Sequence, residues 1–237
     1  MFPIRDTVAS HHRPWAVWGL ILVNALVFVG ELLLSQPELE RTFQLFGIVP
    51  RRYTEPAWGE LVGFPSNYLP FVTHMFLHAG WLHFLGNVWT LWIFGDNVED
   101  RMGSLRFLVF YLACGIVAGV VQMLATSSSA IPSIGASGAI AGIMGAYFLL
   151  FPHARVITLV PLLFYPLFIE LPAVIYLGVW FSMQLFSGSL ALTRPDQVGG
   201  IAFLAHVGGF VAGFVLHRLF LSRRRGGPSR PSPRTGP

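Results

Sequence analysis

Residues 136–152 read ASGAIAGIMGAYFLLFP, a stretch that is rich in glycine and alanine and carries no charged side chain. Such a stretch favours a helix in hydrocarbon, where small residues let neighbouring backbones approach closely. At 1.5 Å per residue, a helix over 137–151 is only about 22 Å long, less than the ~30 Å core of a bilayer. We therefore expect this helix to begin below the membrane surface, beside a cavity that admits water.

The composition of the whole chain is that of a membrane protein. Of its 237 residues, 54% are hydrophobic and 11% are charged, against about 25% charged in an ordinary soluble domain. The single cysteine, Cys114, excludes a disulfide within the chain. Five further apolar stretches lead to an all-α prediction, a polytopic membrane bundle of six transmembrane helices. The predicted spans are 15–35, 80–96, 105–125, 136–152, 171–188 and 199–221.

Three regions follow from these spans: an N-terminal cytoplasmic segment (1–14), a membrane domain (15–221) and a disordered basic cytoplasmic tail (222–237). All fifteen basic residues are arginines, eleven on the side of the N-terminus and four on the other. This positive-inside pattern predicts an integral protein of the plasma (inner) membrane with both termini in the cytoplasm. We expect the tail to face anionic lipid rather than nucleic acid.

Two segments between spans are expected to lie at membrane surfaces. The loop of about 44 residues after the first span is rich in aromatic residues, which prefer the headgroup region. Prolines interrupt the apolar run that follows the fourth span, and Pro172 suits the first position of a helix. We therefore start the fifth helix there and expect 155–170 to lie along the interface.

Polar side chains in three of the spans share one depth. His83 and Asn87 lie four residues apart on the second span, Ser137 begins the fourth, and His206 lies about 10 Å into the sixth. These three helices all start on the outer side, so the topology brings the four side chains toward the outer leaflet. Polar residues inside a membrane are energetically unfavourable and therefore indicate function.

The combination of residue types points to acyl transfer. A serine hydroxyl attacks a carbonyl well once a neutral imidazole takes its proton, which assigns Ser137 as nucleophile and His206 as base. Free N–H groups at the helix start, together with His83 and Asn87, could hold an oxyanion. No acidic residue lies in the outer half of these helices, so a dyad is predicted rather than a triad. This chemistry needs no cofactor and no metal.

Each of these residues has an alternative reading when it is taken alone. Ser137 could be a packing residue between helices, and Asn87 could join two helices by a hydrogen bond. His74 and His78 could bind a metal, but they lack a carboxylate partner and an HExxH pattern. We interpret them as bracing the loop above the site. A proton-coupled transporter would require acidic partners or matched halves, and the sequence has neither.

Four motifs, taken in their order and spacing over residues 74–213, resemble the rhomboid family of intramembrane serine proteases. They are His83-Phe-Leu-Gly-Asn87, Glu99-Asp-Arg101-Met-Gly103, Gly135-Ala-Ser137-Gly138 and Ala205-His206-Val-Gly208-Gly209. The resemblance implies a six-helix fold, with Ser137 as nucleophile and His206 as general base. The oxyanion hole that it implies consists of His83, Asn87 and the backbone N–H of Ser137. The residues that it implies to be structural are Glu99, Arg101, Gly135, Gly138 and Gly209.

The resemblance also implies the substrates, which are transmembrane segments of single-pass or polytopic membrane proteins. Cleavage near the outer leaflet would proceed through an acyl-enzyme, and the fifth helix would admit the substrate. The alternative is a catalytically inactive rhomboid-like factor that binds membrane proteins.

One position departs from the family. Some members carry an aromatic residue four positions after the serine, stacked on the histidine, where this chain has Ala141. Either another aromatic supports His206 or its ring is held less firmly.

Overall fold

The computed structural model describes residues 2–64, 67–162, 165–193 and 202–222, with residues 161, 162 and 193 described by their backbone alone. The predicted tail, apart from Ser222, lies outside these residues, as does the start predicted for the sixth span. The elements in chain order are β1 (Phe2–Asp6), α1 (Trp15–Leu32), α2 (Gln36–Phe46), α3 (Pro50–Thr54), α4 (Pro56–Leu61), α5 (Pro70–Thr73), α6 (Trp81–Met102), α7 (Ser104–Ala125), α8 (Ser137–Leu150), β2 (Arg155–Leu162), β3 (Tyr165–Pro172), α9 (Ala173–Thr193) and α10 (Phe203–Phe220).

The structure is mostly helical, and a helix occupies each of the six predicted stretches. Within the described ranges, four helices are long and apolar enough to cross a membrane, namely α1, α7, α9 and α10. The helix α8 is apolar but shorter, with 14 residues. The helix α6 is not among the four, because polar residues along its length, among them His83, Asn87, Asp96 and Asn97, lower its mean hydropathy. The fold is a membrane helical bundle, and its six-span count stays a prediction.

The centre of the bundle is the contact between α8 and α10, which glycines allow to be very close. A Cβ on Gly209 would lie 1.9 Å from the backbone oxygen of Gly138, and a Cβ on Gly213 would lie 1.8 Å from that of Gly142. Both distances are too short for a real Cβ, so only glycine fits at these two positions. Without side chains there, the backbones of α8 and α10 are in direct contact. On its other side, α8 packs against α7, where a Cβ on Gly138 would lie 2.6 Å from that of Ala118.

A three-stranded antiparallel sheet, in the order β1-β2-β3, corrects the all-α prediction. The strands β2 and β3 form a hairpin with Arg155 opposite Pro172 and Leu162 opposite Tyr165. The strand β1 pairs with the other edge of β2, so part of the segment 1–14 belongs to the folded body. Residues 155–162 favour a strand because four of the eight are β-branched, namely Val156, Ile157, Thr158 and Val160, and such side chains suit a pleated surface. The interfacial position expected for 155–170 remains a prediction.

The acidic residues of α6 bind the N-terminal region. The Glu99 carboxylate, 3% exposed, accepts hydrogen bonds from the backbone N–H groups of Ala16 (3.0 Å) and Val17 (2.9 Å) at the start of α1. It also accepts one from the Ser104 hydroxyl at 2.5 Å. These contacts explain how a buried carboxylate is tolerated at this end of the helix. Arg101 lies elsewhere, with its guanidinium 5.8 Å from the centre of the Phe151 ring.

Asp6 joins the sheet to the bundle. Its Oδ2 accepts hydrogen bonds from Asn97 on α6 (2.6 Å) and from the Tyr147 hydroxyl on α8 (2.5 Å). Burial raises the pKa of the Asp6 carboxyl to about 6, and the nearby charge of Asp96 acts in the same direction. The end of the bundle that carries β1, β2 and β3 is called the sheet end below, and the opposite end, where α8 begins, is called the site end.

The long loop after α1 is folded and covers part of the site end. Its first helix, α2, is stabilised by a capping box between Ser35 and Glu38. Ile48 pairs with Ser133 through two backbone hydrogen bonds of 3.0 and 2.8 Å. This pairing fixes the segment that leads into α8, four residues before Ser137.

Candidate active site

Ser137 and His206 meet at the site end. Ser137 is the first residue of α8, and His206 lies in the first turn of α10. The distance between Ser137 Oγ and His206 Nε2 is 2.7 Å, so the hydroxyl can donate a hydrogen bond to the ring. The same glycine contact that joins α8 to α10 brings these side chains together, because Gly138 directly follows Ser137 and Gly209 lies three residues after His206.

Sequence reasoning missed a third side chain, Gln184 of α9. Its Oε1 lies 2.8 Å from the other ring nitrogen of His206, Nδ1. The sequence gives a signal for this residue, since an amide inside an apolar helix is unfavourable unless it has a partner. The dyad prediction depends on the absence of acidic residues from the second, fourth and sixth helices, and it does not extend to an amide on the fifth.

Aromatic rings from α9 and α10 stand beside His206, where Ala141 provides none. The Trp180 ring centre lies 5.9 Å from that of His206, with the planes at 34°. The Phe203 ring meets the histidine edge-on at 6.5 Å. The first of the two alternatives therefore applies, since other aromatics flank the ring.

His83 and Asn87 of α6 face Gly135, two residues before Ser137. A Cβ on Gly135 would lie 2.5 Å from His83 Nε2 and 3.7 Å from Asn87 Nδ2, and the glycine has a φ of +122°. His83 Nδ1 accepts a hydrogen bond from the Ala79 N–H at 3.3 Å, so the proton of the neutral ring lies on Nε2. Asn87 Nδ2 is buried and has no hydrogen-bond partner within the described ranges. Both nitrogens are therefore donors directed at the start of α8.

His74 and His78 lie in the segment before α6 and are both buried. His74 Nδ1 donates to the Pro70 carbonyl at 2.8 Å, and the His74 carbonyl accepts from the Gly135 N–H at 2.8 Å. Burial lowers the pKa of each histidine to about 4, so both are neutral near pH 7. Among the residues that the structure describes, no group of three His, Cys, Asp or Glu could hold a metal ion.

A cavity of about 1430 Å³ opens over these groups. Ser137, His206, His83 and Asn87 all line it. Its walls come from α2, the loop before α8, and the helices α6, α8, α9 and α10, and most of its lining is apolar. This volume exceeds the roughly 300–1,000 Å³ that is usual for a small-molecule pocket.

Comparisons with a family model and with known proteins agree on one family. A family model described as Rhomboid domain matches residues 65–223. Rhomboid protein 1, mitochondrial, of Saccharomyces cerevisiae is 25% identical over 224 residues, which cover 92% of this chain and 56% of that protein. Rhomboid-like protein 11, chloroplastic, of Arabidopsis thaliana is 30% identical over 141 residues, covering 59% of this chain and 43% of that protein.

A shorter match has a higher identity. Rhomboid protease GluP of Bacillus subtilis is 44% identical over 75 residues, which cover 32% of this chain and 14% of that protein. The chain thus spans about half or less of the length of these three relatives. Of the three, the Bacillus protein is the one whose name states a protease activity.

Proposed function

This chain belongs to the rhomboid family of integral membrane proteins, and on that premise we propose that it is an intramembrane serine endopeptidase. The observation that carries the proposal is the 2.7 Å distance between Ser137 Oγ and His206 Nε2 across two membrane helices. A serine and a histidine in contact inside an apolar bundle have little use as packing residues. Their position in a large cavity gives them access to a substrate.

The reaction would proceed through an acyl-enzyme. Ser137 attacks the scissile carbonyl while His206 Nε2 accepts the hydroxyl proton. The tetrahedral intermediate collapses as His206 returns the proton to the leaving amine. Water then enters and attacks the acyl carbonyl while His206 accepts its proton. As the acyl group leaves as a carboxylic acid, His206 returns that proton to Ser137 Oγ, so that the free hydroxyl and the neutral ring are regenerated.

Three donors would stabilise the oxyanion. The backbone N–H of Ser137 lies in the first turn of α8 and has no partner within the helix. His83 Nε2 and Asn87 Nδ2 converge on Gly135 beside it. The hydrogen-bonding capacity of the buried Asn87 amide supports this role, because a buried donor without a partner is unfavourable in the free enzyme and becomes satisfied in the intermediate.

The substrates that we propose are transmembrane segments with helix-destabilising residues near one end. Family membership supports membrane proteins as a class of substrate, and the apolar lining of the cavity suits an unwound apolar segment. The arginine distribution supports placing the site end toward the outer leaflet and both termini in the cytoplasm. The plasma (inner) membrane belongs to this proposal as well. Cysteine accessibility in sealed vesicles tests the orientation.

The test is cleavage of a purified transmembrane substrate by the full chain in detergent. We expect the Ser137→Ala and His206→Ala variants to lose roughly 10⁴-fold or more in kcat. The matched control is Ser182→Ala, which removes an exposed hydroxyl on α9 and should leave cleavage unchanged. Cleavage by the Ser137→Ala protein at the wild-type rate would overturn the proposal.

A serine-directed fluorophosphonate separates the enzyme from the inactive binding factor. We expect covalent labelling at Ser137 in the wild type and none in the Ser137→Ala variant. A chain that binds membrane proteins but does not label at Ser137 would be the inactive relative.

A further inference from the structure

We propose that Gln184 of α9 positions His206, so that the site operates as a Ser137–His206–Gln184 triad whose third member comes from the fifth membrane helix. This inference rests on the proposed function, because it assigns a role to Gln184 only if His206 acts as a base. The observation behind it is the 2.8 Å contact between Gln184 Oε1 and His206 Nδ1.

The proton positions follow from the chemistry of the atoms. A carbonyl oxygen only accepts hydrogen bonds, so His206 Nδ1 must donate to Gln184 Oε1. A neutral imidazole carries one N–H, which leaves Nε2 as the acceptor. Nε2 is the nitrogen that faces Ser137 Oγ at 2.7 Å. Gln184 thus fixes the tautomer that can accept the serine proton.

An amide can perform this function without a charge. In a Ser-His-Asp site the third residue holds the imidazole in the correct tautomer and orientation, and in some cysteine proteases an asparagine takes its place. A carboxylate in this apolar bundle would need further partners to offset its loss of solvation. A glutamine holds the ring at a lower desolvation cost.

The position of Gln184 couples the triad to α9. Of the four helices that are long and apolar enough to cross a membrane, α9 is the least enclosed: 17% of an apolar 18-residue stretch of it is buried, against 28 to 39% in the other three. Its middle rests on α10 through the stacked rings of Phe181 and Phe210, whose centres are 4.5 Å apart. The hydrogen bond to His206 exists only while α9 remains seated on α10. The base is therefore oriented when the helix is closed and loses its partner when the helix moves away.

The first experiment compares two replacements of Gln184. Gln184→Met has a similar length but no carbonyl, whereas Gln184→Glu keeps an acceptor oxygen. We expect Gln184→Met to lower both kcat and the rate of fluorophosphonate labelling roughly 10- to 100-fold with KM nearly unchanged. Gln184→Glu should restore most of the labelling rate. The control Ser182→Ala, on the same helix, should label at the wild-type rate.

Three results would overturn this inference. One is wild-type labelling by the Gln184→Met protein, and another is an equal loss in the Ser182→Ala control, which would indicate a packing effect. The third needs no variant. The ¹⁵N shifts of His206 in the wild-type protein should report a proton on Nδ1, and a proton on Nε2 would contradict the assignment.

A second experiment tests whether the seating of α9 on α10 controls the orientation of His206. The direction of the change in labelling rate decides the answer. Phe181→Ala removes a ring that holds α9 on α10. If the serine and histidine sufficed alone, a looser α9 would speed the entry of a small phosphonate. We expect slower labelling instead, because the histidine loses its partner, and faster labelling would overturn the coupling.

Failure of this inference is distinguishable from failure of the proposed function. A wild-type protein that does not label at Ser137, or a Ser137→Ala protein that still cleaves, ends the proposed function. A wild-type protein that labels and cleaves through Ser137 and His206, combined with an unaffected Gln184→Met variant, ends only the role of Gln184.

Discussion

Replacing Gly209 by alanine tests whether the contact between α8 and α10 sets the geometry of the site. The new Cβ would lie 1.9 Å from the backbone oxygen of Gly138. A carbon and a carbonyl oxygen approach to about 3.3 Å at closest, so the two helices must separate locally by roughly 1.4 Å. The obstacle is a helix backbone, which cannot rotate away as a side chain would.

The separation acts directly on Ser137 and His206. Gly138 follows Ser137 in the sequence, and Gly209 lies one turn after His206. If the helices move apart along the line between them, the 2.7 Å distance between Ser137 Oγ and His206 Nε2 lengthens to about 4 Å, beyond hydrogen-bonding reach. A misplacement of about 1 Å costs on the order of 10²-fold in rate. The overpacked contact also costs roughly 1–3 kcal/mol of stability.

The assay is the kcat for cleavage of a transmembrane substrate, with the melting temperature recorded in the same detergent. The matched control is Gly19→Ala on α1, because its added Cβ would meet nothing within 4 Å. We expect the control to match the wild type in both measurements. A Gly209→Ala protein that cleaves at the wild-type rate would refute the reasoning, since it would show that the site tolerates the separation.

Three further predictions concern the donors and the sheet end. Asn87→Ala should lower kcat about 10²- to 10³-fold with little change in KM, and a change confined to KM would contradict the oxyanion role. Gly135→Ala should abolish cleavage in a folded protein, because its Cβ would lie 2.5 Å from His83 Nε2. Its control is Gly80→Ala, which shares a positive φ (+145°) but meets nothing within 4 Å, and equal loss in both variants would indicate backbone strain alone. Asp6→Asn should remove a pH dependence of stability. Because burial raises the pKa of the folded Asp6 carboxyl to about 6, above the ~4 of an unfolded chain, the native state binds the proton more tightly, and this contribution to stability is lost as pH rises from about 4 to about 6. As the pH rises across that range, the melting temperature of the wild type should fall relative to that of Asp6→Asn. Parallel plots of melting temperature against pH would refute the raised pKa of Asp6.

The helices were predictable because each is long and apolar, and the sheet was not. Residues 156–162 are as apolar as a membrane span, and hydropathy does not distinguish a strand from a helix in a short run. The partner strand, Phe2–Asp6, lies about 150 residues away in the chain, and pairing over such a distance leaves no local pattern. The helix α6 continues beyond the predicted end of the second span at residue 96, as far as Met102, because α1 and α7 supply the contacts that stabilise Glu99.

The approach of Ser137 and His206 was predictable from topology, since both lie near the starts of helices that begin on the same side. The φ of +122° at Gly135 and the direction of the His83 ring depend on packing that no motif encodes. No sequence motif identifies Gln184 either. Its role arises from the way that α9 rests on α10, and this packing is set by rings such as Phe181 and Phe210.

The carboxylate that accepts hydrogen bonds from Ala16 and Val17 belongs to Glu99, 83 and 82 residues later in the chain. The residue that precedes α1 is Pro14, which provides no side-chain cap of its own. At a synthesis rate of ~5–20 residues per second, the ribosome takes about 4–16 s to cover that interval. Until Glu99 has been synthesised, the leading amides of the first helix lack this carboxylate and must be satisfied by water or other groups. Maturation of the N-terminal region therefore depends on a segment that is translated much later.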